Sequence, residues 1–262
     1  MKIAHIVPPD YLTLLYAVNT GYHFVLGQEA IVNTQYREFY RTLARRGHFI
    51  IVDNGAAELH SGDVQEIPAF RDIVDVADYI GADEIILPDK LRDMYATLEM
   101  FAKAVNDHMV APRRCMAVPQ GETLNEWIDC LRLMSVGSFA TIGIPKHMAR
   151  MPGSRILLAN HLRYRTENIH MLGVWGEPVT EVSELAMMTP WVRGLDTGAA
   201  MAWAQNNEPI HIPSGVRYSL DWNGRSGLTL AANNMEALNA AAAGLPLGGA
   251  ERFLSQAPLR QV

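Results

Sequence analysis

The chain has 262 residues, 49% hydrophobic and 19% charged, with a formal net charge of −6 at neutral pH. This is the composition of an ordinary globular protein with a full core, and it argues against a nucleic-acid coat while leaving room for a local basic surface. No apolar stretch is long enough to span a bilayer, and Met1-Lys-Ile-Ala-His-Ile-Val7 is too short for a signal h-region, so a cytoplasmic protein with no membrane partner is expected.

Strand-like and helix-like segments alternate along the sequence. Residues 2–7 form the first apolar run, followed by a less regular stretch through Gly27. The spacing of Ile31, Tyr36, Phe39, Tyr40 and Leu43 predicts a helix over 29–46, closed by Arg45-Arg46-Gly47. A run at 49–53 precedes a helix over 67–80, where Ile67, Phe70, Ile73, Val74, Ala77 and Ile80 recur at helical spacing. The pattern repeats: 84–88 with a helix over 90–107, 115–119 with 122–134, 139–144 with 153–164, 168–174 with 178–188, and 192–196 with 198–206. An Ala-rich helix spans about 226–243, a weaker eighth strand falls within 209–220, and the segment 248–262 reads as a loose tail.

Such alternation means successive right-handed βαβ units, and eight of them close into a (β/α)₈ barrel of the TIM type, for which about 250 residues is typical. No linker or break in composition interrupts it, so 1–262 reads as a single domain. An open doubly wound sheet is the alternative fold. It usually carries a Gly-rich loop after its first strand, where this chain has Val7-Pro8-Pro9-Asp10. Cys115 lies in a strand-like run and Cys130 in a helix-like one, so both are expected to be buried free thiols. No Cys-x-x-Cys or His-x-x-x-His spacing supports a zinc site.

Three apolar runs end in a carboxylate: Phe49-Ile-Ile-Val-Asp53, Glu84-Ile-Ile-Leu-Pro-Asp89 and Val192-Arg-Gly-Leu-Asp196. In a barrel, residues at strand C-termini converge on one mouth. Here they are Asp53-Asn54-Gly55, Asp89, Gln120-Gly121, Gly143-Ile144, His170-Met171-Leu172-Gly173 and Asp196-Thr197. Two carboxylates facing a small pocket suit chemistry at a sugar anomeric carbon, one attacking and the other moving protons. A third, with a Gln and backbone groups, can pair with the N1–H and exocyclic amine of a guanine-like ring. Each residue also has a plainer use: Asp53-Asn54-Gly55 as a turn, Asp89, Gln120 or Asp196 at a helix start, His170 as a satisfied core histidine. Trp127, Trp191, Trp203 and Trp222 fall in helix or loop patterns that favour the core over stacking platforms.

The segments Ile51-Val-Asp-Asn-Gly-Ala-Ala-Glu58, Ile86-Leu-Pro-Asp89, Ala117-Val-Pro-Gln-Gly121, Ile142-Gly-Ile-Pro145, Ile169-His-Met-Leu-Gly173 and Gly194-Leu-Asp196 occur in this order. Together they resemble the tRNA-guanine transglycosylase superfamily, most nearly its phage and bacterial branch acting on DNA, the DpdA-type 7-deazaguanine transglycosylases. The resemblance covers roughly residues 1–245. It implies a base-exchanging glycosyltransferase in which Asp196 attacks C1′ of the target guanosine and Asp53 is the general acid/base. Asp89 and Gln120 would read the base edge, with Asn54 and Gly121 beside them. Gly143 would offer a backbone contact, His170 would line the pocket, and Met171 or Leu172 would pack on the base. The family reaction exchanges guanine for a free 7-deazaguanine such as preQ0, without ATP or a redox cofactor.

Two departures bear on the substrate. The tRNA enzymes carry a zinc-binding Cys-x-Cys-x-x-Cys and His insert, and this chain has no cysteine after Cys130; nor does it have the C-terminal RNA-binding domain of the archaeal enzymes. Both favour the compact DNA-acting branch, with no metal and DNA as the macromolecular partner. A duplex substrate requires the target nucleotide to be flipped out, which costs a few kcal/mol. The segment from Lys146 to Arg165 carries Lys146, Arg150, Arg155, Arg163 and Arg165 and no acidic residue, so it is the expected backbone-binding surface. The same chemistry on tRNA, a barrel lyase or hydrolase acting on a small phosphorylated sugar, and a non-catalytic nucleic-acid-binding paralogue are the alternatives. An accessory protein is compatible with each, and the sequence does not specify an oligomeric state.

Overall fold

Eight short parallel strands carry the apolar runs: β1 (Lys2–His5), β2 (Tyr22–Val25), β3 (Phe49–Val52), β4 (Glu84–Ile86), β5 (Cys115–Ala117), β6 (Thr141–Pro145), β7 (Asn168–Leu172) and β8 (Gly194–Thr197). The computed structural model describes residues 1–18, 20–57, 68–107, 110–134, 139–165, 167–210, 218 and 220–245. The strands form one sheet in the order β1-β8-β7-β6-β5-β4-β3-β2, with β1 and β2 side by side at the seam, so it curls into a nearly closed barrel. Around it run α1 (Leu14–Ala17), α2 (Gly27–Val32), α3 (Thr34–Arg45), α4 (Phe70–Ile80), α5 (Met94–Asn106), α6 (Leu124–Met134), α7 (Ser154–Leu162), α8 (Pro178–Met188), α9 (Ala199–Gln205) and α10 (Leu228–Ala242). This is the (β/α)₈ fold.

Side chains on a strand alternate between its faces, and the barrel divides the apolar residues accordingly. Ile3, Ile50, Val52, Ile85, Ile142, Ile144, Ile169, Met171 and Leu195 belong to the core shared with the helices. Ala4, Tyr22, Phe24, Ile51, Ile86, Met116 and Val118 form a second, smaller core inside the barrel. In β7 and β8 the same alternation turns His170 and Asp196 inward, between the outward-facing Ile169, Met171 and Leu195. At Gly194 an added Cβ would sit 2.5 Å from the Tyr22 ring, so glycine there makes room for a tyrosine inside the barrel.

The structure corrects three expectations. The eighth strand is β2, formed by Tyr22-His-Phe-Val25, in the stretch that lacks a long β-branched run. The expected strand at 209–220 falls largely on residues outside the described set, as does the tail over 248–262. The helix over 29–46 is two helices. Asn33 takes extended backbone angles between them, accepts the Tyr36 N–H at 3.0 Å as the N-cap of α3, and donates to Glu29 at 2.8 Å. The helix after β4 begins at Met94, capped by Asp93, whose side chain accepts the Ala96 N–H at 2.9 Å. Asp89 is therefore not a helix cap. Cys115 and Cys130 are free and buried. No helix among the described residues is long and apolar enough to cross a membrane.

Candidate active site

At the carboxyl ends of the strands lies an open cavity of about 810 Å³. Asp53, Asn54, Asp89, Gln120, Lys146, Leu172 and Asp196 all line it. The three aspartates are buried, at 7%, 4% and 5% exposure, so each carboxylate's behaviour is set by its neighbours rather than by water.

Asp89 is held between two amides. Asn54 Nδ2 donates to Oδ1 at 2.6 Å, and Gln120 Nε2 donates to Oδ2 at 2.6 Å. The backbone fixes which way both amides face. Asn54 Nδ2 also donates to the Leu87 carbonyl while its Oδ1 accepts the Ala56 N–H; Gln120 Oε1 accepts the Arg92 N–H. Both amides therefore present N–H to Asp89, an arrangement that only an acceptor carboxylate satisfies. Burial pushes the Asp89 carboxyl up to about 6, and the two amide bonds act against that rise. Near neutral pH it is an ionised acceptor with lone pairs to spare.

Asp196 is oriented through one oxygen. His170 Nε2 and the Gly173 N–H both bond to Oδ1, at 3.0 and 3.2 Å, while Oδ2 is bonded to no group among the described residues. Gly173 has φ of +67°, and this left-handed backbone turns its N–H toward the carboxylate. Thr197 Oγ1, not Asp196, accepts the Ala199 N–H at the start of α9. Asp53 is set by its own turn: its Oδ2 accepts the Gly55 N–H at 3.2 Å, and Gly55 has φ of +82°. The turn and the site thus use the same residues, since Asp53 and Asn54 each close a two-residue turn and also line the cavity.

Other sequence-expected residues lie elsewhere. Met171 is fully buried in the outer core, on the face of β7 away from the cavity, whereas Leu172 lines the cavity. Gly143 sits mid-strand below the mouth, with Leu172, Val118 and Met116 packed where a Cβ would be. Gly121 is wedged against α6, and its carbonyl bonds His147 Nε2 at 3.0 Å. His170 is fully buried beneath the cavity and reaches it through Asp196.

The basic block does not act as one surface. Lys146 lines the cavity, and Arg150 is exposed near it, 3.5 Å from Glu122. Arg155 is 3% exposed: its guanidinium pairs with Glu181 at 2.7 Å and donates to the carbonyls of Ile144, Leu172 and Gly173. Arg163 and Arg165 follow α7 at the opposite end of the barrel, where Arg163 stacks on Trp191 and Arg165 pairs with Glu167 at 2.9 Å. A helix of nine residues rises about 13 Å, enough to carry its C-terminus away from the mouth.

Several cavity or near-cavity groups carried no sequence signal. Trp222 lines the cavity with Leu220, Asp221 and Asn223, and its Nε1 donates to Glu29 at 3.1 Å, so it belongs to the mouth as well as to the core. Trp127 and Trp203 are core residues. Phe24 and Tyr22 flank His170 from the unanticipated β2. Among the described residues, no group of three or more His, Cys, Asp or Glu side chains is placed to hold a metal ion.

No family model matches the chain, and no curated protein matches it. Among solved structures it is similar to CdNal from Clostridium difficile, determined in complex with mannosamine, at 9% identity and a TM-score of 0.48 over 76% of this chain and 70% of that one. At that distance the likeness carries no argument, and the barrel rests on the strand pairing. The transglycosylase resemblance rests on the six motifs alone.

Proposed function

We propose that this barrel is a base-exchanging glycosyltransferase that replaces guanine in DNA by a free 7-deazaguanine. The observation that carries the reading is the division of the three aspartates around one cavity. Asp89 is clamped as an acceptor suited to the N1–H and exocyclic amine of a guanine ring, and Asp196 is held through Oδ1 with Oδ2 left over to attack. Asp53 is the proton carrier.

In this cycle Asp196 Oδ2 bonds to C1′ as the C1′–N9 bond breaks, and the electron pair leaves on N9, where Asp53 delivers a proton. The incoming base returns a proton to Asp53 as its own N9 attacks C1′, and Asp196 departs as a carboxylate. Two displacements retain the configuration at C1′. Atoms and charge balance without ATP or a redox cofactor. A duplex substrate must be flipped at a cost of a few kcal/mol, and Lys146 and Arg150 are the members of the basic block at the mouth that can hold phosphates against it.

The test is exchange of labelled guanine or 7-deazaguanine into duplex DNA and into tRNA side by side, read by nucleoside mass spectrometry. Wild-type protein should label DNA, and Asp196→Asn should abolish labelling while keeping the fold. Normal labelling by Asp196→Asn would refute the nucleophile, and labelling of tRNA alone would move the substrate to RNA.

A further inference from the structure

The nucleophile is the upper end of a buried polar chain that runs down the inside of the barrel. From Asp196 Oδ1 it passes to His170 Nε2 at 3.0 Å, then from His170 Nδ1 to the Tyr22 hydroxyl at 2.7 Å. Arg193 Nε donates to that hydroxyl at 3.2 Å, and the rest of the guanidinium grips Glu84 with two bonds of 2.6 and 2.7 Å. Thr141 Oγ1 donates to Glu84 as well, at 2.8 Å. Strands β2, β4, β6, β7 and β8 all contribute to it. None of its members below Asp196 is used by the exchange chemistry as written.

The direction of the hydrogens follows from the lower end. Arg193 can only donate, so the Tyr22 oxygen is an acceptor toward it. The hydroxyl hydrogen then has one partner in the chain, His170 Nδ1. Were Nδ1 to carry a hydrogen, the tyrosine oxygen would accept twice and its own O–H would have no partner in the chain, in a site where a lost bond is expensive. Burial pushes the Tyr22 hydroxyl pKa well up, so it keeps its hydrogen. Nδ1 is therefore the acceptor, and Nε2 carries the hydrogen donated to Asp196. Phe24 holds the imidazole plane, stacked at 6.0 Å with 9° between the rings.

We propose that His170 is the positioning residue of Asp196, and that Tyr22, anchored by Arg193 and Glu84, sets the His170 tautomer that fills Asp196 Oδ1 and reserves Oδ2 for C1′. The same Nε2–H stays on Oδ1 when Oδ2 becomes the ester oxygen, so the donor serves both the free enzyme and the covalent intermediate. The kinetic half of the proposal rests on Asp196 being the nucleophile; the tautomer half does not.

Two measurements test it. In the ¹⁵N spectrum of histidine-labelled protein, the His170 signals, identified by their loss in His170→Gln, should show Nε2 protonated and Nδ1 bare; Tyr22→Phe should turn them into a mixture of tautomers. A protonated Nδ1 in the wild type overturns the assignment whatever the activity. The second measurement is the rate of covalent adduct formation with DNA. His170→Phe should lower it roughly 10²-fold, the cost of a misplaced reacting group, with KM for DNA changed less than about threefold, and His170→Gln, which keeps a donor, should recover most of the loss. Tyr22→Phe should cost about tenfold in the wild-type background and less than about twofold in His170→Gln, because coupled residues are non-additive. Equal losses in both backgrounds would overturn the route through His170. Should the wild type form no adduct while the tautomer is as stated, the transglycosylase reading fails and the positioning of Asp196 stands.

Discussion

Acid should weaken base binding through Asp89. The perturbation is a fall in pH from about 7.5 to about 5. Burial raises the Asp89 carboxyl from 3.8 to about 6, so it is ionised at the upper value and about nine-tenths protonated at the lower. A protonated Asp89 loses acceptor capacity toward the ring N–H groups, and one of its oxygens becomes a donor facing two amides that are themselves fixed as donors. On the proposed reading the ionised form is the one that binds guanine well, so affinity should fall roughly tenfold for each pH unit below 6. Isothermal titration with free guanine or a 7-deazaguanine across this range reads the effect directly. Asp89→Asn should bind more weakly at neutral pH and show no slope. Equal affinities at the two ends for the wild type would refute the argument, and the same slope in Asp89→Asn would place the titration on another group. Asp89→Ala should also lose discrimination against adenine analogues in competition.

Arg155 and the mouth cations separate by readout. Arg155→Met removes the cation paired with the partly buried Glu181, which keeps the Trp175 and Gly176 N–H bonds, and takes a donor from the carbonyls of Ile144, Leu172 and Gly173; it should appear as a clear fall in Tm. Lys146→Ala and Arg150→Ala should leave Tm unchanged and each lower the salt dependence of DNA binding by about one unit of slope; an unchanged slope would remove them from the interface. His5 and His23 are buried, and burial pushes each down to about 4, so the fold holds them uncharged while the unfolded chain protonates them near 6.5. Their stabilisation is present above pH 6.5 and is lost as pH falls from there toward 4, a few kcal/mol in all; urea midpoints across that range check it, and substitution of His23 by Phe should flatten the curve. Gly194→Ala drives a methyl into the Tyr22 ring and should lower both Tm and adduct formation, the latter disproportionately if Tyr22 is displaced from His170.

The outer barrel was legible because its signal is local. Each of β3, β4, β6, β7 and β8 is an apolar run followed by a helix with its own periodicity, and the run's length sets where the carboxylate ends up. β2 carried no such signal: four residues with a tyrosine, a histidine and a phenylalanine are as good a loop as a strand, and only the vacancy between β1 and β3 makes them one. That omission hid Tyr22 and Phe24, and with them the surroundings of His170. Of the two neighbours expected at the pocket, Leu172 lines the cavity and Met171 faces the core, because one residue of pleat reverses a side chain. The basic block failed for the opposite reason. Charges close in sequence are not close in space here, because α7 carries its last residues down the barrel wall and turns Arg155 inward at its first turn. A carboxylate that opens a strand buried on both faces, as Glu84 does, must be paired, and Arg193, just before β8, is its partner.

The three aspartates are equivalent in sequence context and unequal in the barrel, because what decides their chemistry is the kind of donor each one meets. Asp89 meets two side-chain amides whose orientation the backbone has fixed, so each oxygen accepts one of them and keeps lone pairs for the donors of the proposed base. Asp196 meets an imidazole and a backbone N–H on a single oxygen, which leaves the other unbonded among the described residues, as the proposed attack requires. Asp53 meets the N–H of its own turn just past the end of β3, with its backbone N–H still bonded to Val25, a setting unlike that of either other aspartate. Tyr22 is the cheapest place to begin, since removing one hydroxyl alters the partner of Asp196 without touching Asp196 itself.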